Sequence, residues 1–304
     1  MGVTNTNQTK GRGSQKRVKA FHDGHFTELT VDARFSAFLT VDLWVLDQVA
    51  DPNGTWAEMA QSIRQVLPKA RKSGMQIVHA PSDTGSRYLN TKAASVVITR
   101  GPNNRCYRTM MRENPALKDH PADFLTLMPR SPQNRNFQSM PGCDCCQVVS
   151  ADNGWRGFQK EECGQDQGYQ YALADLIEHG DAFTDDRDGM CPGGVGFFGK
   201  TVYGYGLRTY LAERSIDTIF YTGGSIDQCL SWRAFGVQNM VKQIEVAGKE
   251  RWGQPFRCIV MEGLTKVGPM EGITDKVALH ELAKVSNTYV IDLKDLSGII
   301  DDSL

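Results

Sequence analysis

Apolar residues along the chain alternate between strand-sized runs and repeats with helical spacing. Residues 35–42 form a short apolar run that ends in Asp42, which is typical of a buried parallel strand. The spacing then predicts a helix over residues 55–67, with Gly74 as a stop signal, and a second strand over residues 75–80. A strand, a helix and a strand in this order predict a βαβ unit.

A second set of helix and strand patterns follows a long polar segment. From residue 81 to about residue 180 the chain is rich in Asn, Arg, Gly, Pro and Cys, and only residues 169–179 are helix-like. Because compact domains rarely contain structureless loops of that length, we interpret this segment as an insertion with some structure of its own. Beyond it, the pattern predicts a short strand over 181–185, helices over 205–213, 228–241 and 275–285, and strands over 218–222, 257–261 and 288–293.

Helices and strands that alternate in this way indicate an α/β fold. We predict a single domain over residues 31–304, built on a three-layer, doubly wound and mainly parallel sheet of about six strands, with an insertion at about 81–190. The carboxyl ends of parallel strands form the binding site in such folds. The rule selects Asp42, residues 79–83, residues 223–229 and Glu262.

Composition and charge exclude several classes of protein. Hydrophobic residues make up 40% of the chain and charged residues 23%, as in an ordinary globular protein. The 34 basic and 35 acidic residues leave a net charge of −1, so no global field attracts nucleic acid. The apolar runs are far shorter than the ~20 residues that cross a bilayer. We therefore expect no nucleic-acid partner, no membrane partner and a cytoplasmic location.

The N-terminal segment differs from the rest. Residues 1–30 are polar and basic, and we expect them to be flexible because such a composition buries little apolar surface. The start also fits an N-myristoylation pattern through Gly2 and Thr6, which stays an open alternative. No apolar core of a secretory signal is recognisable, so we expect the cysteines to be thiols rather than disulfides.

The strongest candidate for chemistry is the segment 219–229. A strand runs into the glycine pair Gly223–Gly224, and Cys229 falls in the first turn of the helix predicted next. The N-terminus of a helix stabilises a thiolate, and its backbone N–H groups can hold an oxyanion. The pattern therefore fits a nucleophilic cysteine, although a buried and inert thiol fits it equally well.

These motifs resemble the isochorismatase-like cysteine hydrolases, which include nicotinamidases, N-carbamoylsarcosine amidases and ureidoacrylate amidases. Val41-Asp42 matches an aspartate that ends the family's first strand, and residues 223–229 (GGSIDQC) match Gly-Val-x-Thr-x-x-Cys. The segments LAERSIDTIFYTG and HELAKVSNTYVIDLKDL are similar to the helix and strand before the cysteine and to the last helix and strand. The resemblance covers about residues 35–83 and 200–295.

The resemblance implies a role for each matching residue. Asp42 would be the general base, Cys229 the nucleophile and a lysine the charge stabiliser. Lys200 is the candidate lysine, but it lies 29 residues before Cys229, closer than is usual in the family, and another alignment places Gly196 there. The Gly224–Ser225 bond falls where the family has a cis peptide that turns backbone N–H groups inward. Trp44 and Asp83 follow strand ends, so they are candidates for lining a substrate pocket.

We therefore predict an amidohydrolase that cleaves a small amide or related C–N bond through a thioester. The predicted partner is a small-molecule substrate, no cofactor or metal is expected, and the resemblance implies a homo-oligomer. A catalytically silent binding or assembly protein of the same fold is the alternative. A further alternative is nucleotide binding, because residues 194–201 fit the phosphate-loop pattern G-x-x-x-x-G-K-[ST].

A cluster of cysteines lies within the predicted insertion. Three of them fall in the sequence Cys143-Asp144-Cys145-Cys146, and Cys163 and Cys191 follow. Five thiols could hold a zinc ion or form a redox pair, but the spacing lacks the paired C-x₂-C motifs typical of such sites. We expect isolated thiols here, and we interpret His79 as a histidine of the core rather than a ligand.

Overall fold

The computed structural model describes residues 15–43, 53–80, 178, 180–184, 205–227, 229–233, 235–241, 244–246, 250–252, 256–268 and 273–300. Ten strands lie within these ranges: β1 Lys16–His22, β2 His25–Val31, β3 Ser36–Val41, β4 Gln76–Ala80, β5 Ala182–Phe183, β6 Thr218–Gly224, β7 Ile244–Val246, β8 Glu250–Trp252, β9 Arg257–Lys266 and β10 Thr288–Asp292. The six α-helices in the same ranges are α1 Thr55–Lys72, α2 Tyr205–Ala212, α3 Cys229–Trp232, α4 Val237–Met240, α5 Asp275–Leu282 and α6 Leu293–Ile300.

The centre of the fold is a sheet with the strand order β2-β1-β10-β9-β6-β3-β4-β5. All pairings from β10 to β5 are parallel, whereas β1 pairs antiparallel with β2 and β10. This confirms the predicted α/β fold with a mainly parallel sheet, but the sheet has eight strands rather than about six, because the strands β1 and β2 add two antiparallel members at one edge. The chain moves outward from β3 to β4 and β5, then returns to the other side of β3 for β6, so its direction reverses between β3 and β6. Open α/β sheets bind ligands at such a reversal point.

Burial explains why the central strands and the first helix form where they were predicted. Every residue of β3 and β6 is buried, which accounts for their continuous apolar runs. Helix α1 extends to Lys72 and buries one stripe of side chains at helical spacing against the sheet. That stripe consists of Trp56, Met59, Ile63, Leu67 and Ala70.

The prediction of a flexible segment over residues 1–30 is wrong for the part that the structure describes. Residues 16–31 form a hairpin, closed by a two-residue turn in which Asp23 and Gly24 both have positive φ, at 44° and 82°. Within β1, Arg17 and Lys19 alternate with Val18 and Ala20, so the charged side chains point outward and the apolar ones are buried. The buried residues are Val18, Ala20 and Val31. Residues 1–14, with Gly2, lie outside the described residues.

The C-terminal half differs from the prediction in two places. A single helix over 228–241 is replaced by the short helices α3 and α4, since the chain turns at Gly236, whose N–H donates to the Arg233 carbonyl. A sixth helix, α6, begins directly after β10, where no helix was predicted. Within the described residues, no helix is long and apolar enough to cross a membrane.

Candidate functional site

The carboxyl ends of β3 and β6 meet in very close contact. Val41 is paired with Gly223 in the parallel register, and a Cβ atom added to Gly223 would lie 1.8 Å from the Val41 carbonyl oxygen. Gly223 also has a φ of 94°, in the left-handed region that favours glycine. Both residues of the pair are followed by the end of a strand: Asp42 comes directly after β3, and Gly224 is the last residue of β6.

Asp42 occupies a constrained position at the end of β3. Only 1% of the residue is exposed, and its backbone N–H donates to the Ala80 carbonyl of β4 at 3.3 Å. Its φ of 40° is unusual for a residue other than glycine, although aspartate adopts the left-handed region more readily than most. Backbone outliers of this kind cluster at functional sites, so the position itself points to a function for Asp42.

The turn after β6 lies against helix α1. The peptide bond between Gly224 and Ser225 is cis, the geometry that the resemblance implies for this bond. A Cβ atom added to Gly224 would lie 2.1 Å from Cη2 of Trp56, so the indole ring covers the turn. Sequence reasoning missed Trp56, and the only signal for it was its place in the first turn of α1.

Cys229 is the first residue of α3 and is fully buried. The N–H of Leu230 donates to the Ser225 carbonyl at 3.0 Å, and the N–H of Arg233 donates to the Cys229 carbonyl at 3.2 Å. Because α3 spans only four residues, the long helix whose dipole was expected to stabilise a thiolate is absent from this part of the structure. A thiolate at Cys229 would therefore need stabilisation from side chains or from other backbone groups.

A second thiol provides a contrast. Cys229 and Cys258 are the two cysteines among the described residues, and both are thiols. Cys258 lies on β9, where burial raises its pKa to about 12. At that pKa the thiolate is scarce near neutral pH, which makes Cys258 a structural residue.

Residues 225–227, which we call the cysteine turn, are hydrogen-bonded to the end of β9 and the segment that follows it. The carboxylate of Asp227 accepts a hydrogen bond from the Ser225 hydroxyl and another, at 2.8 Å, from the N–H of Gly268. The N–H of Ile226 donates to the Lys266 carbonyl, also at 2.8 Å. Residues 225–227 are thereby held to residues 266–268, a contact across the ends of two neighbouring strands.

A buried hydrogen-bond network lies on the other side of Asp42. His79 lies 2.9 Å from the Thr40 hydroxyl through Nδ1 and 3.0 Å from the Asp181 carboxylate through Nε2. Arg71 donates to both oxygens of the same carboxylate, at 3.1 and 2.8 Å. Burial by itself raises the pKa of Asp181, but the hydrogen bonds from His79 and Arg71 outweigh it and hold that pKa below its usual value. His79 is thus a satisfied core histidine, as predicted.

Several residues singled out in the sequence lie outside the described residues. They are Lys200, Trp44, Asp83, the 194–201 segment and the cysteines 143, 145, 146, 163 and 191. Among the residues that are described, no group of three or more His, Cys, Asp or Glu side chains has a geometry that could hold a metal ion.

A cleft of about 550 Å³ lies apart from Asp42 and Cys229. It lies between the β1–β2 hairpin, the strands β9 and β10, and the helices α5 and α6, and its lining includes Phe21, Phe26, Leu279 and Val290. The side chains of Phe21 and His280 stack beside it with ring centres 4.4 Å apart. Glu262, which the strand-end rule selected, lines this cleft, whereas Asp42 and Cys229 do not.

No protein-family model matches the chain, and no curated protein is similar to it in sequence. The chain is similar in structure to a cysteine hydrolase from Pseudomonas syringae pv. phaseolicola, with a TM-score of 0.42 and 14% sequence identity. That similarity covers 90% of this chain and 96% of the other.

Proposed function

We propose that this chain is a cysteine-dependent hydrolase that cleaves a small amide or a related C–N bond through a thioester. The observation that carries the proposal is the pairing of Val41 with Gly223, because it brings the buried Asp42 next to the turn that leads into Cys229. A carboxylate and a thiol at adjacent strand ends are the groups that such catalysis requires. The resemblance of the sequence to isochorismatase-like cysteine hydrolases supports the same two residues.

In the proposed reaction, Asp42 moves every proton. The Cys229 sulfur attacks the substrate carbonyl carbon while its proton passes to the Asp42 carboxylate. The tetrahedral oxyanion then collapses, the C–N bond breaks, and Asp42 returns the proton to the leaving nitrogen. In the second half, Asp42 takes a proton from water, the oxygen attacks the thioester, and the departing Cys229 sulfur recovers that proton.

Two backbone N–H groups of the turn already donate hydrogen bonds within the protein, so the oxyanion needs other donors. The N–H of Ile226 is bound to the Lys266 carbonyl, and that of Leu230 is bound to the Ser225 carbonyl. A short helix such as α3 adds little positive potential. Lys200 is therefore proposed for the role that the resemblance implies, with its ammonium group beside the developing negative charge.

The test is release of ammonia from nicotinamide, N-carbamoylsarcosine and ureidoacrylate. On any substrate that turns over, Cys229→Ala should lower kcat by more than about 10³-fold, because the nucleophile is lost. Asp42→Asn should lower it by about 10²–10⁴-fold. Cys258→Ala is the matched control and should retain activity, since that thiol has a role only in packing. Mass spectrometry of the quenched reaction should locate the acyl group on Cys229, and full turnover by Cys229→Ala would refute the proposal.

One observation favours a second candidate, a catalytically silent binding or assembly protein of the same fold. Cys229 is 0% exposed, as expected of an inert packing residue. The two candidates predict different behaviour towards methyl methanethiosulfonate, a small thiol reagent. A catalytic Cys229 reacts well below pH 8, whereas a packing residue stays unmodified as long as the protein is folded.

A further inference from the structure

The carboxylate of Asp227 lies at the point where two loops join. It accepts the Ser225 hydroxyl from its own turn and the N–H of Gly268 from the segment after β9, at 2.8 Å. The contact with Gly268 spans 41 positions in the sequence, so it is a tertiary contact and not a local turn. A charged acceptor forms hydrogen bonds about twice as strong as a neutral one, so the bond from Gly268 to Asp227 is a stronger link than the backbone bond from Ile226 to Lys266.

The charge of Asp227 matters in addition to its hydrogen bonds. Asp227 precedes Cys229 by two residues, so their Cα atoms are at most about 7 Å apart. The two side chains belong to one turn, and a negative charge close to the sulfur disfavours a thiolate, because like charges repel. The same side chain thus fixes the turn that carries the cysteine and opposes ionisation of its sulfur.

We propose that Asp227 is a positioning residue for Cys229: it holds the cysteine turn against residues 266–268 and sets the pH at which the thiol becomes reactive. The inference rests on the proposed function, since it assigns a control element to the same cysteine. Its two effects, attachment and charge, have opposite consequences for reactivity. Removing the attachment should misplace the sulfur, while removing the charge alone should ease its ionisation.

Two substitutions separate the effects. Asp227→Asn keeps an oxygen that can accept from Gly268 and Ser225 but removes the charge, so the midpoint of the pH profile for Cys229 modification should fall by about 1 pH unit. Asp227→Ala removes both, and kcat should fall at least about tenfold, because misplacement of the reacting groups slows the chemistry. Rescue of turnover by the Asn variant would show that attachment, rather than charge, supports the reaction.

Asp275→Asn is the matched control. The Asp275 carboxylate accepts the N–H of Val267 and binds the Lys266 ammonium group, both at 2.9 Å, so it fastens the same segment without touching the cysteine turn. Asp275→Asn should leave the pH profile of Cys229 unchanged. A control that shifts the profile as much as Asp227→Asn would overturn the inference.

The measurement is the rate of modification of Cys229 by methyl methanethiosulfonate between pH 5 and pH 10 on the full chain, read by peptide mass spectrometry. Circular dichroism establishes that each variant is folded. If wild-type Cys229 is reactive and neither Asp227 variant changes its pH profile or kcat, the inference is wrong and the proposed function stands. If wild-type Cys229 is unreactive throughout and no amide is cleaved, the proposed function is wrong and the inference falls with it.

Discussion

Gly223→Ala should be among the most damaging single substitutions in the protein. The new methyl group would overlap the Val41 backbone, with its carbonyl oxygen 1.8 Å away, its carbonyl carbon 2.8 Å away and its nitrogen 3.0 Å away. No side-chain rotation relieves the overlap, because all three atoms are main chain. One of the two central strands must move, and Asp42 follows directly after Val41.

The size of the effect follows from two costs. Holding an L-residue at the φ of 94° seen for Gly223 costs about 1–2 kcal/mol. Forcing extra volume into a packed region costs about 1–3 kcal/mol more. The free energy of unfolding should therefore fall by about 2–5 kcal/mol. This is a large part of the total free energy of unfolding of a typical domain, which is about 5–15 kcal/mol.

Two other glycines separate these costs in urea unfolding followed by circular dichroism. Gly263 also has a positive φ, 84°, but the nearest atom to an added Cβ is 3.9 Å away, so Gly263→Ala should show only the conformational cost of about 1–2 kcal/mol. Gly298 lies within α6 with nothing within 4 Å, and its replacement by Ala should raise stability by about 0.5–1 kcal/mol. The reasoning is refuted if Gly223→Ala costs no more than Gly263→Ala.

Three further predictions concern the surroundings of the site. Gly224→Ala should lower the free energy of unfolding by about 1–3 kcal/mol because of its contact with the Trp56 indole, and Trp56→Phe should recover part of that loss in a double-mutant cycle. Asp181→Asn should cost about 3 kcal/mol at pH 7, since it breaks a buried ion pair. Because the pKa of Asp181 is lowered in the folded protein, its contribution to the free energy of unfolding is present above the unfolded pKa of about 4 and is lost as pH falls through the folded pKa. The difference in free energy of unfolding between variant and wild type, measured in urea melts, should therefore shrink below about pH 4. Cys258, with a pKa of about 12, should resist iodoacetamide at pH 8 in the folded protein and react in urea; labelling in the folded state would contradict its assignment as a packing residue.

The elements predicted best are those whose signal is local. β3 and β6 are buried on both faces, so their apolar runs are continuous and need no knowledge of the partner strand. The hairpin over residues 16–31 was not predicted, because the composition of this segment is polar overall. In the sequence, only the alternation of apolar and basic residues indicates that one face of the hairpin is buried. The helix predicted over 228–241 failed for the opposite reason, since an apolar helical pattern continues across the turn at Gly236.

The residues of the candidate site likewise fall into two groups, those with a local signal in the sequence and those without one. Asp42 and the glycine pair before Cys229 could be found because each follows a strand whose end is visible in the sequence. The side chains that hold them could not be found, because their partners are distant in sequence. His79 meets Asp181 across 102 positions, and Asp227 meets Gly268 across 41. A single sequence contains no signal for such pairs beyond the residue types themselves.

Two separate supports hold the proposed base and nucleophile. Asp42 is fixed by β3 and by its bond to Ala80 of β4, and the buried network that ends at Arg71 of α1 joins these two strands through Thr40 and His79. The turn before Cys229 is fixed by β6 and, through Asp227, by the segment after β9. The two supports meet at their strand ends in the Val41–Gly223 pair. The backbones touch there, and a side chain at position 223 would separate them. The distance between Asp42 and the turn that leads into Cys229 is thus set by main-chain packing in the middle of a parallel sheet, which deforms far less readily than a loop.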